Sequence, residues 1–337
     1  MPQAVRRTFN PRKDLEQACD LAEVAYAEDY ARIGREAEGG VGSEDRASGV
    51  VGVMAGILPS LRDLNQGFVW EEDGRIVALV LYARTGLGGS QWSIEAVATH
   101  PDRQRRGLAK CLLQATLDEL RSRGGTVCTL KVREDNEGAN ALYRDLGFVH
   151  YDTSIHLRSD AMKSGGSFDV PPPASPPSLR AYRFVDAPPR TWFSTWQERG
   201  DLACRSQSEE ARAVCPVVPA QFRRPWFAPA LAPMLTKLSG HTVRHRLVRL
   251  GEQVVATLAA DLALRGPDPH EVTIDVDPDH EESLSAVLVP RALALLAGAP
   301  PAPILTEARS NQACLLGALE RRGFARVITW HQLGLRL

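Results

Sequence analysis

The stretch HPDRQRRGLAKCLL, residues 100–113, sets three arginines against a glycine immediately before an apolar periodic run. Leu113, Leu117 and Leu120 recur on one helical face, with Ala109, Leu112 and Thr116 beside them, and Gly124 and Gly125 follow as a stop. The spacing predicts a helix that begins just after Gly107. A helix start leaves backbone N–H groups unpaired and carries partial positive charge. Arg103, Arg105 and Arg106 add to that charge, which the helix dipole disfavours unless an anion is held there. A glycine lets such an anion reach the backbone, and guanidinium groups supply charge-assisted hydrogen bonds. The expectation is a phosphate or pyrophosphate site. A solvated helix start would account for the same residues without a ligand.

Working outward, SIEAVATHP (residues 93–101) reads as a strand stopped by Pro101, and GRIVALVLYAR (residues 74–84) as a strand entered from a hairpin turn. After the helix come a further strand, a second helix and the segment LYRDLGFVHY (residues 142–151). The first half therefore reads as helices, then strands, then strand–helix–strand–helix–strand: a mixed α/β domain with a partly parallel sheet. The second half repeats this order. GEQVVATLAADLAL (residues 251–264), VTIDVDP (residues 272–278) and LERRGFARVI (residues 319–328) match the three segments above. Pro101 to Gly147 is 46 positions and Pro278 to Gly323 is 45, which points to duplication. Between the halves lies KSGGSFDVPPPASPPS, residues 163–178, with too little apolar material for a core. The expected organisation is residues 1–162, a Pro-rich linker at 163–178, and residues 179–337.

Composition narrows the function. The 337 residues carry 40 basic and 41 acidic side chains, a net charge of -1, which argues against a general nucleic-acid binder. The most apolar early run, Val50 to Leu58, is far shorter than the roughly 20 residues of a membrane helix, and the first residues lack a secretory pattern. The six cysteines form no CxxC pair, so free thiols in a reducing cytoplasm are expected, without disulfides or zinc. Asp275-Val276-Asp277-Pro278-Asp279 opens like a calcium loop but lacks its glycine and closing glutamate. The aromatics Trp192, Trp196, Trp226 and Phe227 suit core packing or a pocket.

Two motifs carry a resemblance. Gln104-Arg105-Arg106-Gly107-Leu108-Ala109 is similar to the Q/R-x-x-G-x-G/A pyrophosphate loop of the GNAT superfamily of acetyl-CoA-dependent N-acetyltransferases. Asn136 to Phe148, NEGANALYRDLGF, resembles that family's N-x-x-A-x-x-L-Y-x-x-x-G-F. The resemblance covers residues 65–157 well and the second half weakly. It implies two tandem GNAT-like mixed-sheet domains, the second degenerate, and acetyl-CoA as cosubstrate with no metal.

It also implies residue roles. Val97, Ala98 and Thr99 would lend backbone groups to the pantetheine arm, and Ala98 or Thr99 would donate to the developing oxyanion. Gln104 and the amides of Arg105, Arg106, Gly107, Leu108, Ala109 and Lys110 would hold the pyrophosphate. Asn136 would bond the cofactor arm, and would equally suit a helix N-cap. Tyr143 would be the general acid, or an amphipathic core residue. Glu95, sharing a strand face with Val97, would be the base, with His100 as another proton acceptor. In the second half Asp277, Asp279, Glu281 and Glu282 stand where the first has arginines, and Leu319 where it has Tyr143. That half is expected to bind no coenzyme.

Acceptor choice in the resembling family lies between the first helix and the central strands, here residues 26–66. Its acidic side chains (Glu28, Asp29, Glu36, Glu38, Glu44 and Asp45) would draw a cationic amine, or would simply be solvated. The expected partners are acetyl-CoA and an amine, with no nucleic acid or membrane, in a cytoplasmic monomer or homodimer. The alternative is an acyl-CoA-binding sensor or scaffold without turnover.

Overall fold

The computed structural model describes residues 4–33, 66–85, 89–160, 179–222, 240–265 and 268–337. The expected linker at 163–178 lies outside them, as do Val50 to Leu58, Trp226, Phe227 and the acidic residues Glu36, Glu38, Glu44 and Asp45. Two compact units are present: Met1–Tyr151 with His331–Leu337, and Asp152–Trp330.

Unit 1 opens with strand β1 (Ala4–Thr8) and helices α1 (Pro11–Ala25) and α2 (Ala27–Ile33). Strands β2 (Gly67–Glu72), β3 (Arg75–Arg84) and β4 (Gln91–Thr99) follow, then α3 (Leu108–Ser122), β5 (Val127–Arg133), α4 (Glu137–Asp145) and the start of β6 (Val149–Ser159), most of which belongs to unit 2. The expected strand–helix–strand–helix–strand core is present. β1 departs from the reading: its AVRRT pairs antiparallel with β2 and is almost wholly exposed, so no apolar alternation marks it.

The strands run β1-β2-β3-β4-β5, and the last strand of the chain, β12 (Ala325–Arg336), lies next to β5 through its residues 331–336. Leu337 N–H donates to Thr126 C=O at 3.1 Å at that edge. β3 is buried on both faces, as its near-continuous apolar run requires. Ala78, Val80 and Tyr82 pack toward α3 with Trp92, Ile94, Leu113 and Leu333. Leu79 and Leu81 pack toward α1 with Phe9, Leu21 and Ala98.

α1 is pinned by a buried charge. Pro11 opens it and Asn10 caps it, accepting from Arg12 N–H at 3.1 Å. Asp14 is fully buried and accepts from the two terminal guanidinium nitrogens of Arg7 at 2.6 and 2.9 Å and from Asn10 N–H at 2.7 Å. Burial alone would raise this carboxyl; the bonds from Arg7 and the Asn10 amide overturn that and hold it below the ordinary range.

Unit 2 repeats the order. β7 (Tyr182–Asp186) precedes the short helices α5 (Pro189–Ser194), α6 (Trp196–Arg205) and α7 (Glu209–Val214). Then come β8 (His241–Leu250), β9 (Gln253–Ala263), β10 (His270–Val276), α8 (Pro278–Leu293), β11 (Ile304–Arg309), α9 (Ala313–Glu320) and β12. The strand beside β11 is β6, paired antiparallel from Ile304↔Ser159 to Arg309↔Ser154. Each unit is thus completed by a strand from the other half's stretch of sequence. Trp192 stacks on His245 at 4.0 Å, and the Arg199 guanidinium lies over the Trp192 ring at 4.0 Å, beside a small apolar cluster. All six cysteines are free, and among the described residues no group of side chains suits a metal ion.

Candidate active site

β4 makes the first half of the site. It pairs antiparallel with β3, but the register slips so that Leu81 faces Ala96 while Tyr82 faces Ile94. Glu95 is the extra residue of this bulge, a device that re-aims side chains. On its other edge β4 pairs parallel with β5 from Gln91↔Val127 to Ile94↔Leu130, where the pairing ends. Among the described residues no strand pairs with the edge from Glu95 to Thr99, and in that sense it is open.

Which backbone groups face that opening follows from the antiparallel alternation. His100 N–H donates to Val77 C=O at 2.9 Å, which turns His100 and Ala98 toward β3 and Val97 and Thr99 outward. Val97 agrees, since both its N–H and its C=O bond the Tyr26 hydroxyl, at 2.9 and 3.0 Å. Of the three residues expected to lend backbone groups, Val97 and Thr99 face the opening, and Ala98 buries its methyl toward α1.

Ile94 and Val97 both pack on the α3 side, while Glu95, the bulge residue that meets Ser93, lies toward the α1 side, so the strand face it was expected to share with Val97 is lost at the bulge. Burial raises the Glu95 carboxyl above the ordinary range, against a hydrogen bond from Ser93 and the charge of Lys131. A carboxylate so raised is a better proton acceptor than an exposed one.

The loop after β4 makes the second half. Pro101–Arg103 form a 3₁₀ turn, with His100 Nδ1 accepting from Asp102 N–H at 3.3 Å. Arg105 and Gly107 both take left-handed backbone, at φ 57° and 77°. α3 then starts at Leu108 with Gly107 as N-cap, no side chain capping it and no acid in its first turn. The amides of Leu108, Ala109 and Lys110 have no partner within the helix. Gln104, Arg105, Arg106 and Gly107 are exposed beside them, while Leu108 anchors the helix in the core. Arg103 is different: its Nε donates to Glu72 at 2.8 Å, tying the loop to β2.

α4 makes the third part. Asn136 Oδ1 accepts from Ala139 N–H at 3.1 Å, so Asn136 caps this helix. Tyr143 is 5% exposed, with its ring edge-on to Phe148 at 5.9 Å. Burial raises its phenol well above the ordinary range, which keeps it protonated and able to donate.

Two features had no sequence signal. Tyr26, at the α1–α2 corner, reaches across to β4. Arg133, at the end of β5, binds Asp29, Glu28 at 3.1 Å and Asp135 at 2.8 Å. Arg32 also pairs with Glu28 and Asp135, at 2.5 and 2.8 Å. Glu28 and Asp29, expected to draw a cation, are thus spent on fixing α2 to β5.

Unit 2 differs at the corresponding positions. Asp277 caps α8, accepting from Asp279 N–H at 3.2 Å and from Arg205 Nε at 2.6 Å. Glu281 accepts from Leu315 N–H at 2.9 Å at the start of α9, and His280 Nδ1 meets the Tyr182 hydroxyl at 3.0 Å. Leu319, in the place of Tyr143, is a fully buried core residue.

The sequence and fold were compared with those of known proteins. Residues 49–148 match the Acetyltransferase (GNAT) family. The chain is 37% identical over 89 residues to the ribosomal protein bS18-alanine N-acetyltransferase of Escherichia coli, covering 25% of this chain and 58% of that one. It is 38% identical over 76 residues to a mycothiol acetyltransferase of a Nocardioides species, covering 23% of this chain and 26% of that one. In fold it resembles, along 99% of its length, a tandem GNAT protein from the clavulanic acid biosynthesis pathway, with a TM-score of 0.64, 16% identity and 98% of that chain covered. A GCN5-related N-acetyltransferase from Sphaerobacter thermophilus gives a TM-score of 0.62 at 14% identity, over 99% of this chain and 95% of that one. Residues 49–148 thus match a GNAT-family domain, and the chain has a tandem GNAT fold. Its match spans little more than half the length of the E. coli relative. Among the described residues, no helix is long and apolar enough to cross a membrane.

Proposed function

We propose that this protein transfers an acetyl group from acetyl-CoA to an amine, with the chemistry in unit 1. One observation carries the reading: the open edge of β4 leads into an α3 start that no side chain caps, at a left-handed glycine flanked by Arg105 and Arg106. A diphosphate fits that donor set, because amides and guanidinium groups converge on the position where the dipole favours negative charge. Acetyl-CoA supplies an acetyl group activated as a thioester. Val97 and Thr99 bond its arm through their outward N–H and C=O groups, and one of these N–H groups polarises the reacting carbonyl. Asn136 holds the arm through its amide nitrogen while its oxygen caps α4.

Glu95 takes the proton that the amine must lose, directly or through one water, since an alkylammonium with a pKa near ~10 cannot attack. Tyr143 gives its phenolic proton to the departing sulfur. The transfer is direct, with no acylated side chain. The second unit binds no coenzyme and supports the first. The acceptor is an amine reached from the α1 side, and the site works in a cytoplasmic protein that needs no metal.

Coenzyme A release, followed by a thiol reagent across a panel of amines, tests the reading. Release with some amine is expected, and Tyr143→Phe lowers kcat by about 100-fold while leaving the acetyl-CoA Kd unchanged. Binding of acetyl-CoA without release by any amine, with Tyr143→Phe indistinguishable from the parent, would establish a sensor or scaffold instead.

A further inference from the structure

The open edge of β4 already has an occupant. Tyr26 ends α1, and its ring packs against the α1-side core. Its hydroxyl donates to Val97 C=O at 3.0 Å and accepts from Val97 N–H at 2.9 Å. One oxygen thus offers β4 the donor and acceptor pair that an added strand would offer. Thr99, two residues further along the same edge, is held far less firmly: its C=O meets the Gln104 side-chain amide at 3.5 Å. The tyrosine therefore sits on the stretch of edge nearest Glu95, where the reacting end of an arm lying along β4 from the Gly107 loop would come to rest.

An arm bonded to Val97 and the Tyr26 hydroxyl bonded to Val97 are mutually exclusive, since the strand has only one outward N–H and one outward C=O there. We propose that Tyr26 is a placeholder for the thioester arm on Val97, so that binding the arm transfers both backbone groups to it and releases the α1–α2 corner. The inference rests on the acetyl-CoA reading above. It gives the corner a function. Tyr26 directly precedes α2, whose Glu28 and Asp29 are locked to Arg133 on β5. Moving the phenol moves the residue that joins α1 to that locked helix, on the side from which the amine approaches. Loading of the thioester thereby sets the acceptor side, and the amine binds productively only afterwards. Tyr26 is a positioning residue in this scheme and takes no proton from the substrate.

The test compares two ligands on two full-length proteins by calorimetry. Acetyl-CoA reaches Val97; 3′-phosphoadenosine 5′-diphosphate has the diphosphate but no arm. Tyr26→Phe keeps the packed ring and removes only the hydroxyl. Acetyl-CoA should bind Tyr26→Phe about 5-fold more tightly than the parent, the worth of about one net hydrogen bond, with the affinity for the armless nucleotide unchanged. The readout is the ratio of the two affinities, so a general loosening of the variant cancels. An unchanged ratio, or one shifted against acetyl-CoA, would overturn the placeholder and make the hydroxyl a bystander or a direct ligand contact. If the parent binds neither nucleotide, the acetyl-CoA reading falls, and this inference with it.

Discussion

The starts of α3 and α8 occupy the same place in the two repeats and are finished in opposite ways. α3 opens on a left-handed glycine, with bare amides and two exposed arginines. α8 opens on Asp277 and Pro278, with carboxylates in its first turn and Arg205 closing on the capping aspartate. In unit 2 the protein's own carboxylates meet the dipole, so that helix is self-sufficient. In unit 1 the same electrostatic requirement is left for something else to meet. The tyrosine follows suit, as Tyr143 gives way to the buried Leu319. One fold thus carries two helix starts, one completed by its own carboxylates and one with its donors left bare.

This contrast can be broken first at Gly107. Gly107→Glu puts a side chain on a backbone at φ 77° and a carboxylate where a diphosphate would lie. Acetyl-CoA should bind the parent at one equivalent per chain and the variant at least ~100-fold more weakly, near the loss of about 3 kcal/mol. A second equivalent in the parent, measured by calorimetry, would mean that α8 holds coenzyme too.

Glu95→Gln tests the proposed base at the bulge. The rate should fall by about 10- to 100-fold with acetyl-CoA affinity kept. Because burial raises this carboxyl, the parent loses its base as pH falls, at a higher pH than the ~4.3 of an ordinary glutamate. That acidic limb of the kcat/KM profile should disappear in the variant. An unchanged limb would assign it to another group.

The smallest effect is expected at Asp277→Ala. Losing the α8 cap should cost about 1 kcal/mol and lower Tm by a few degrees, with acetyl-CoA binding untouched. Any change in coenzyme affinity would show that the self-capped helix takes part in binding after all.

Much of this contrast was legible locally. The leucine spacing of α3, the glycine that opens it and the stops at Pro101 and Pro278 are short-range signals, and each emerges where expected. β1 was not legible, because a two-arginine edge strand has no period-2 pattern to read. Long-range pairing was equally silent. Arg103 looks like its neighbours in the sequence, yet Glu72, 31 residues away, removes it from the anion-facing set. Tyr26 meets Val97 across 71 residues, and nothing near it distinguishes it from a helix-end aromatic. Glu95 loses the face it would share with Val97 at a bulge whose position only the register shows.

The seating of residues 331–337 beside β5 has a consequence for biosynthesis. As the nascent chain leaves the ribosome, the first unit must wait for nearly two hundred later residues before its sheet can close. Leu333, Leu335 and Leu337, which pack on that unit's apolar interior, come from this distant segment. The amino-terminal unit therefore cannot close its sheet from its own contiguous stretch of sequence, and a fragment ending at Tyr151 would leave that edge and the core beneath it uncovered.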